Sequence, residues 1–440
     1  MRVMKFGGTS VGSAQRIQGV AAIVKNNLSA KPVVVVSAMA GVTNTLIEIA
    51  QASNVTIRTQ KLETLRVLHE SVVEALGLSP SLLDTLFEEL ETLAKKTKKS
   101  TKKTLDHFVS FGERLCAPLV AGALVKAGVP SAAFPSWEVG MITDEQFGAA
   151  EPLATTPALI RRHIESLTVV PVITGYVGKT EKGEITTLGR GGSDYSAAVI
   201  GAALLADAIQ IWKEVDGFMT TDPRLIPEAR VVPELAFEEA AELAYFGAKV
   251  LHPKTILPAM KAGVPVEVLN TFNPEGKGTR IVSNFKERRQ VSQAVDALTL
   301  KRNVSVLHVF SPDFFDGNKV VADILNLFSN HNVNIGDMAL SVASLSMIID
   351  SSEPLPPKII EGLKKIGDIE IHSNKAMICA VGGSMHAADV AGRMFTVLGQ
   401  EKVSVEFISQ ASSGYSITFV VNADDAEKAL KTLHKEYIRP

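Results

Sequence analysis

The sequence predicts an α/β protein, with a mainly parallel sheet in its N-terminal part followed by two small βαββαβ modules. Three observations carry this. Pro32–Val36 (PVVVV) and Thr168–Thr174 (TVVPVIT) are continuous apolar runs, as expected of strands buried on both faces of a parallel sheet. Glycine-rich turns link strand-like to helix-like runs at Gly7-Gly8-Thr9-Ser10 and at Thr186–Ala198 (TTLGRGGSDYSAA). Beyond residue 295 a strand, helix, strand, helix order occurs twice, with HNVNIGDMALS and EKVSVEFISQA at matching positions.

The first strand, Arg2–Phe6, meets its glycine turn at once, and an amphipathic helix follows from Ala14 to Asn26. Such a corner suits an anion, because unpaired amides and the helix dipole converge on it. It is not a P-loop, since Lys5 precedes the glycines, and GGTSVG does not match the dinucleotide fingerprint G-x-G-x-x-G. Lys5 is placed to neutralise charge on a phosphoryl group in transfer; an ordinary solvated lysine is the plain alternative. Pro32–Val36 ends in small and hydroxyl residues, and Ser37 and Thr43 therefore stand where open α/β sheets bind ligands. Thr43 or Asn44 as the cap of a helix starting near Leu46 is the alternative.

Residues 46–130 read as mostly helical, with Leu62–Leu76 and Leu82–Ala94 divided at Gly77–Pro80. The run Lys95–Lys103 (KKTKKSTKK) reads as a solvated helix face or loop, since no aromatics interleave it. In Phe111-Gly112-Glu113-Arg114, Glu113 is a carboxylate on an otherwise apolar segment, facing a positive group or simply the surface.

The stretch Thr186–Ala198 concentrates the most chemistry. Gly189, Gly191 and Gly192 allow close backbone approach, Arg190 offers a planar fork for carboxylate or phosphate, and Asp194 suits an ammonium or the vicinity of a metal. A plain turn with Ser193 capping the helix is the alternative. The strand Ala208–Trp212 then ends in Lys213-Glu214-Val215-Asp216-Gly217, and Met219–Arg224 forms a proline-locked polar turn; these loops offer room for a nucleotide. Helix Phe237–Phe246 leads to Lys249, placed to reach the same phosphates, and to His252, read as structural. Val264–Leu269 adds a strand, with a turn at Asn273–Gly278. A charged linker, Glu287–Gln290, precedes the modules. The first is read as Ala297–Phe310, Lys319–Asn330, Leu340–Asp350 and Pro356–Ile366, the second as Lys375–Val381, Ala387–Leu398, Tyr415–Val421 and Ala423–Tyr437. Paired modules of this kind bind an effector or hold subunits together.

The 440 residues carry a net charge of −2 with 46% apolar and 21% charged residues, ordinary for a soluble globular chain and without the basic field of a nucleic-acid binder. Cys116 and Cys379 are too few for a disulfide framework and read as reduced buried thiols. The start MRVMKFGGTS lacks a signal-peptide core and no run is read as membrane-spanning, so the cytoplasm is expected.

Taken in order, KFGGTSVGS, VVSAMAGVTN, FGERL, TTLGRGGSDYSAA, VDGFMTTDPR and FGAKVLHP resemble the aspartate kinases of the amino-acid kinase superfamily, and the tail resembles their paired, ferredoxin-like ACT modules. The resemblance implies a three-layer catalytic domain over 1–285, with a helical insertion at about 50–110 typical of the lysine-sensitive or monofunctional branch, then ACT modules at 295–367 and 373–440. With the second module at its end, the chain is not expected to carry a fused homoserine dehydrogenase.

It implies transfer of the ATP γ-phosphoryl group to the side-chain carboxylate of L-aspartate, with Mg²⁺ held mainly by the phosphates. By this carry-over Lys5, with the Gly7 and Gly8 amides, stabilises the migrating phosphoryl. Arg190 grips an aspartate carboxylate, Glu113 takes the ammonium, and Ser37, Thr43, Tyr176, Gly191, Gly192 and Ser193 complete the substrate pocket. Asp194 organises either Lys5 and substrate or the metal, with no metal ligand assigned. Lys213, Glu214, Met219, Arg224, Lys249 and Val250 fall on nucleotide-binding positions. Lysine or threonine is the implied effector, a homodimer or larger the implied assembly, and neither nucleic acid nor membrane is a partner. Lys213-Glu214 departs from a usual Thr/Ser-Asp pair, Met219 from a tyrosine and Tyr176 from a phenylalanine. Leu340–Ser346 lacks the glutamate of the usual T-S-E segment. A sister kinase for another small acid such as acetylglutamate, and a catalytically dead amino-acid sensor, are the competing readings.

Overall fold

The computed structural model describes residues 1–97, 99–247, 250–283, 294–316, 319–410 and 412–438. They form two compact units, one of residues 1–218, 233–237 and 250–283, the other of residues 219–232, 238–247 and 294–438. The linker Glu287–Gln290 and Lys249 lie outside the described residues.

The first unit opens with β1 (Arg2–Phe6), α1 (Ala14–Asn26), β2 (Pro32–Val36) and α2 (Val42–Gln51). Three long helices follow, α3 (Val55–Ala75), α4 (Asp84–Lys96) and α5 (Lys102–Lys126), then β3 (Ser131–Phe134), β4 (Ile142–Thr143) and α6 (Thr156–Glu165). Next come β5 (Val170–Thr174), β6 (Val177–Thr180), β7 (Ile185–Thr187), α7 (Gly192–Leu204) and β8 (Ala208–Lys213). The series closes with β9 (Glu234–Ala236), α8 (Phe237–Tyr245), α9 (Pro253–Ala262), β10 (Val266–Asn270) and β11 (Thr279–Val282). Past its first residue α8 belongs to the second unit.

Eight strands pair in the order β3-β5-β2-β1-β8-β10-β11-β9, all parallel except the β10–β11 pair. β1 lies between β2 and β8, and Val3, Met4, Phe6 and Val33–Val36 are buried, which is why these strands read as unbroken apolar runs. A separate small sheet has the order β4-β6-β7.

The helices follow from local rules. Ser13 caps α1 by accepting the Arg16 N–H, and Ile17, Val20, Ala21 and Val24 recur at helical spacing on its buried face. Thr101 and Thr104 form a reciprocal capping box at the start of α5. Lys95 and Lys96 of the charge run occupy the last turn of α4, where cations meet the negative end of the dipole.

α5 departs from the sequence reading in one respect: its 25 residues are long and apolar enough to cross a membrane by length and composition. Burial explains it. In its most apolar window 78% of residues are inside the protein, and Leu115, Leu119 and Leu124 pack with Leu46, Phe87 and Leu90 of the neighbouring helices. Cys116 and Cys379 are free, buried thiols.

The second unit contains β12 (Ala297–Phe310), α10 (Lys319–Asn330), β13 (Ile335–Leu340), β14 (Ser344–Asp350), α11 (Pro357–Ile366) and β15 (Asp368–Val381). α12 (Val390–Gln400), β16 (Val405–Gln410), β17 (Ser416–Asn422) and α13 (Ala426–Tyr437) complete it. Its six strands make one antiparallel sheet, β13-β14-β12-β15-β17-β16. The stretch read as one strand over Leu340–Asp350 is instead a turn into β14, closed by the Ser341 N–H donating to Ser344 C=O at 2.8 Å.

The two βαββαβ repeats interlock. Residues 304–310 of β12 pair with β14 and with residues 368–375 of β15, whereas residues 297–301 of β12 pair with residues 377–381 of β15, which lie beside β17. Each repeat therefore receives its fourth strand from the other's first strand. A division between 367 and 373 runs through β15. The changeovers fall at Asn303 and Asn374, both with φ +57°, a conformation that Asn tolerates best after Gly. Each half has its own core. Leu307, Met347 and Ile349 pack with Phe328 and Leu363, and Ile378, Phe419 and Val421 pack with Met394 and Leu433. Within this unit α8 is tied to the sheet by Glu242 to Ser416 (3.1 Å) and by the Tyr245 hydroxyl to Ile335 C=O (2.9 Å).

Candidate active site

Because β1, β2, β5 and β8 are parallel and in register, with Phe6 opposite both Val36 and Trp212, their carboxyl ends share one edge. A cavity of about 510 Å³ opens there. Lys5 lines it from β1 and Gly8 from the turn that follows, Ser37 from the β2 turn, Thr43 from the first turn of α2, and Glu113 from α5. Tyr176 reaches it from the end of β5, and Gly189 to Asp194 from the start of α7.

Two of its lining residues, Lys5 and Asp194, belong to a largely buried ion cluster. Lys5 Nζ is 2.6 Å from Asp194 Oδ1, and Lys213 Nζ is 3.1 Å from Asp194 Oδ2. Lys213 also donates to Val250 C=O at 2.5 Å. Burial pulls the Lys5 ammonium below its usual range, with Asp194 opposing and Lys213 reinforcing the shift. Burial works against the Asp194 charge too, yet the Lys5 and Lys213 ammoniums outweigh it and hold that carboxyl below the usual range.

Glu113 is buried on the inner face of α5, and its Oε1 accepts the Ala38 N–H at 3.0 Å while Oε2 has no hydrogen-bond partner. Burial pushes its carboxyl up to about 8, against the hydrogen bond from Ala38 and the attraction of Lys5. The preceding glycine makes this approach possible, because a Cβ on Gly112 would stand 2.6 Å from the Ala38 Cβ. One helical heptad earlier, Asp106 accepts from the Gly148 N–H (2.8 Å) and from the Thr187 N–H and hydroxyl (2.9 Å each). It fastens the Gly148 wall of the cavity to β7. Sequence reasoning missed Asp106, although a second carboxylate seven residues before Glu113, on the same apolar helix, marks the same face.

In the glycine-rich turn, Gly189 and Gly191 have φ of +76° and +70°, and Gly191 occupies the N-cap of α7. A Cβ on Gly192 would meet the Tyr176 ring at 2.5 Å. Tyr176 itself adopts φ +67°, held by its N–H donating to Ser196 Oγ (2.9 Å) and its C=O accepting from Leu188 N–H (2.8 Å). Arg190 is exposed and makes no hydrogen bond or ion pair among the described residues. Its guanidinium is free at the cavity wall.

Other residues take positions the sequence did not anticipate. Gly7 does not line the cavity; its N–H donates to Trp212 C=O at 3.1 Å and so is not free for a ligand. Thr43 lies in the first turn of α2, whose N-cap is Gly41, so it is not the cap. Lys213 is directed to Asp194, while Glu214 is exposed and Val250 acts through its carbonyl. Met219 and Arg224 belong to the second unit, where the exposed Arg224 pairs with Asp222 of its own turn at 2.6 Å. Ala38, Met39, Ala40, Gly41 and Gly148 also line the cavity; they lack functional side chains and gave no signal in sequence.

Comparison with known proteins bears on this geometry. Residues 1–270 match the amino acid kinase family and residues 378–437 the ACT domain. Aspartokinase 1, chloroplastic, of Arabidopsis thaliana is 38% identical over 99% of this chain and 80% of its own length. Lysine-sensitive aspartokinase 3 of Escherichia coli is 33% identical over 98% of both chains. Among solved structures, E. coli aspartokinase III in complex with aspartate and ADP (R-state) superposes with a TM-score of 0.81 at 31% identity, covering 99% of each chain. Its complex with lysine and aspartate (T-state) gives 0.85 at 30% identity over the full length of both. On this evidence the chain belongs to the amino acid kinase family, in its aspartokinase branch, and is a phosphotransferase carrying an ACT regulatory domain.

Proposed function

We propose that this protein transfers the γ-phosphoryl group of ATP to the β-carboxylate of L-aspartate, giving 4-phospho-L-aspartate and ADP. This is the first step toward lysine, threonine, methionine and diaminopimelate. The observation that carries the reading is the pairing, in one cavity, of a free guanidinium at Arg190 with an unsatisfied buried carboxyl oxygen at Glu113. These two groups suit the carboxylate and ammonium of an amino acid. The relatives crystallised with aspartate, ADP and lysine support the same substrates and an amino-acid effector here.

The acceptor carboxylate is already ionised at neutral pH, so the chemistry asks for alignment and charge neutralisation rather than a strong base. In this reading Arg190 and Glu113 fix the ends of aspartate, Ser37, Thr43, Tyr176, Gly191, Gly192 and Ser193 shape its pocket, and the amide of Gly8 faces the phosphates. Lys5 neutralises charge on the phosphoryl group in transfer, and Asp194 orients Lys5. Glu214, Met219, Arg224, Lys249 and Val250 are assigned to the nucleotide.

Mg²⁺ would be held by the phosphates and water, which suits its preference for oxygen ligands with retained waters. The donor set fits that arrangement, since Asp194 is already engaged by two ammoniums. The ACT modules would take lysine or threonine and hold a homodimer or larger assembly. Trapping the acyl phosphate with hydroxylamine tests the reading. Aspartyl hydroxamate formed only with both ATP and aspartate supports it, and turnover with a different acid alone overturns the substrate.

A further inference from the structure

The Lys5–Asp194 pair raises an electrostatic problem. One ammonium beside one carboxylate has no net charge, yet a phosphoryl-transfer site must receive a strongly anionic group. Lys213 resolves it. Its ammonium takes the second oxygen of Asp194 at 3.1 Å and is held from behind by the Val250 carbonyl at 2.5 Å. Its backbone is equally constrained, since Lys213 closes β8 opposite Asn270 and its carbonyl accepts the Thr271 N–H at 2.8 Å. The side chains of Lys5, Asp194 and Lys213 are 6%, 9% and 20% exposed, so the cluster is largely out of water, where a fixed charge acts most strongly.

We propose that Lys213 is a positioning residue for phosphoryl transfer: by sharing Asp194 with Lys5, it leaves the cluster with one net positive charge and fixes the carboxylate that orients the Lys5 ammonium. This rests on the phosphotransfer reading of the site and adds a residue to it. It also separates Lys213 from Glu214, its exposed neighbour in sequence. A lysine whose role is only to bind nucleotide has no need of a buried carboxylate partner.

Among the described residues, the charged groups facing the Lys5 ammonium are Asp194 of α7, Lys213 of β8 and Glu113 of α5. Removing the Lys213 charge takes away a neighbour that disfavours protonated Lys5, so Lys5 should then lose its proton at higher pH.

The test uses the full chain and the variants Lys213→Met and Lys213→Arg, with ADP release and hydroxamate formation followed from pH 6 to 10. Lys213→Met is expected to lower kcat about 10- to 100-fold, with KM for ATP and aspartate within about threefold, and to move the alkaline limb of kcat upward. Lys213→Arg is expected to restore kcat and the limb. Two outcomes overturn the proposal: an unchanged kcat and limb in Lys213→Met, or a rise in ATP KM alone, which makes Lys213 a plain nucleotide ligand. If Lys213→Met does not fold, Lys213→Gln is compared with Lys213→Arg in the same way. If the wild-type chain phosphorylates another acid instead of aspartate, the substrate reading falls, and the same comparison with that acid still decides the role of Lys213.

Discussion

Glu113 Oε1 accepts the backbone N–H of Ala38 at 3.0 Å, joining the inner face of α5 to the turn after β2 and leaving Oε2 without a partner. A buried carboxyl oxygen left open at a cavity is costly unless a ligand completes it. Glu113→Gln keeps the shape and loses the charge. Steady-state kinetics should show aspartate KM raised about 10- to 100-fold, the range of one charge-assisted hydrogen bond, with ATP KM unaltered. An unaltered aspartate KM would remove Glu113 from the pocket.

The same residue sets a pH dependence. With its carboxyl raised to about 8 in the free protein, Glu113 is protonated at pH 6 and ionises as pH rises. An ammonium ligand needs the ionised form, so kcat/KM for aspartate should climb toward pH 8 and this limb should vanish in Glu113→Gln. The sign for stability is opposite. The folded value lies above the ordinary 4.5, so this group's contribution is fully present below 4.5 and is lost as pH rises through about 8. Thermal melts of wild type and Glu113→Gln between pH 5 and 9 measure that difference.

Arg190 is bound to nothing in the described structure, so Arg190→Ala should leave the melting temperature unchanged. Aspartate KM should rise at least about tenfold, since a guanidinium–carboxylate pair contributes more than about 1.4 kcal/mol when partly desolvated. Isothermal titration with a non-hydrolysable ATP analogue should show near-normal affinity. A lost nucleotide affinity with normal aspartate kinetics would reverse the assignment.

Gly112→Ala tests the close approach of α5 to the β2 turn. Alanine favours a helix by about 1 kcal/mol over glycine. Here its Cβ would meet the Ala38 Cβ at 2.6 Å, and neither carbon can rotate away. Overpacking of this kind costs about 1–3 kcal/mol. Urea denaturation should therefore show a net loss, accompanied by weaker aspartate binding as Ala38 is displaced. A more stable protein with normal kinetics would mean that the turn yields freely.

The interlocked repeats give a prediction about truncation. A chain ending at residue 367 removes β15 whole and exposes one entire edge of β12. Unpaired apolar edges drive association, so this truncation should be insoluble or aggregated by light scattering. A soluble monomer would show that the first repeat closes without its borrowed strand.

Much of this was legible because the signals are local. Five β-branched or proline residues at Pro32–Val36 report a doubly covered strand without reference to anything distant. The glycines at 189 and 191 report positive φ, which the chain needs wherever the sheet edge turns into α7. Motif order then identified the family, and most of the expected pocket residues do line one cavity. Several of the readings that changed depended on a partner from another element. Gly7 gives its amide to Trp212, and Lys213, expected at the nucleotide, pairs with Asp194. α5 is apolar because protein surrounds it.

The sequence by itself determined the two kinds of architecture, the glycine corners and the identity of the charged groups, because periodicity and backbone freedom are properties of neighbouring residues. Only the tertiary structure decided which charges meet. Lys5 of β1 meets Asp194 of α7 and Lys213 of β8, which follow much later in the chain; burial lowers the Lys5 ammonium, and the two ammoniums hold the Asp194 carboxyl down against burial. The exchange of strands between the repeats has the same origin. A strand exposes hydrogen-bonding groups along both edges, and which segment fills each edge is settled by the register of the assembled sheet.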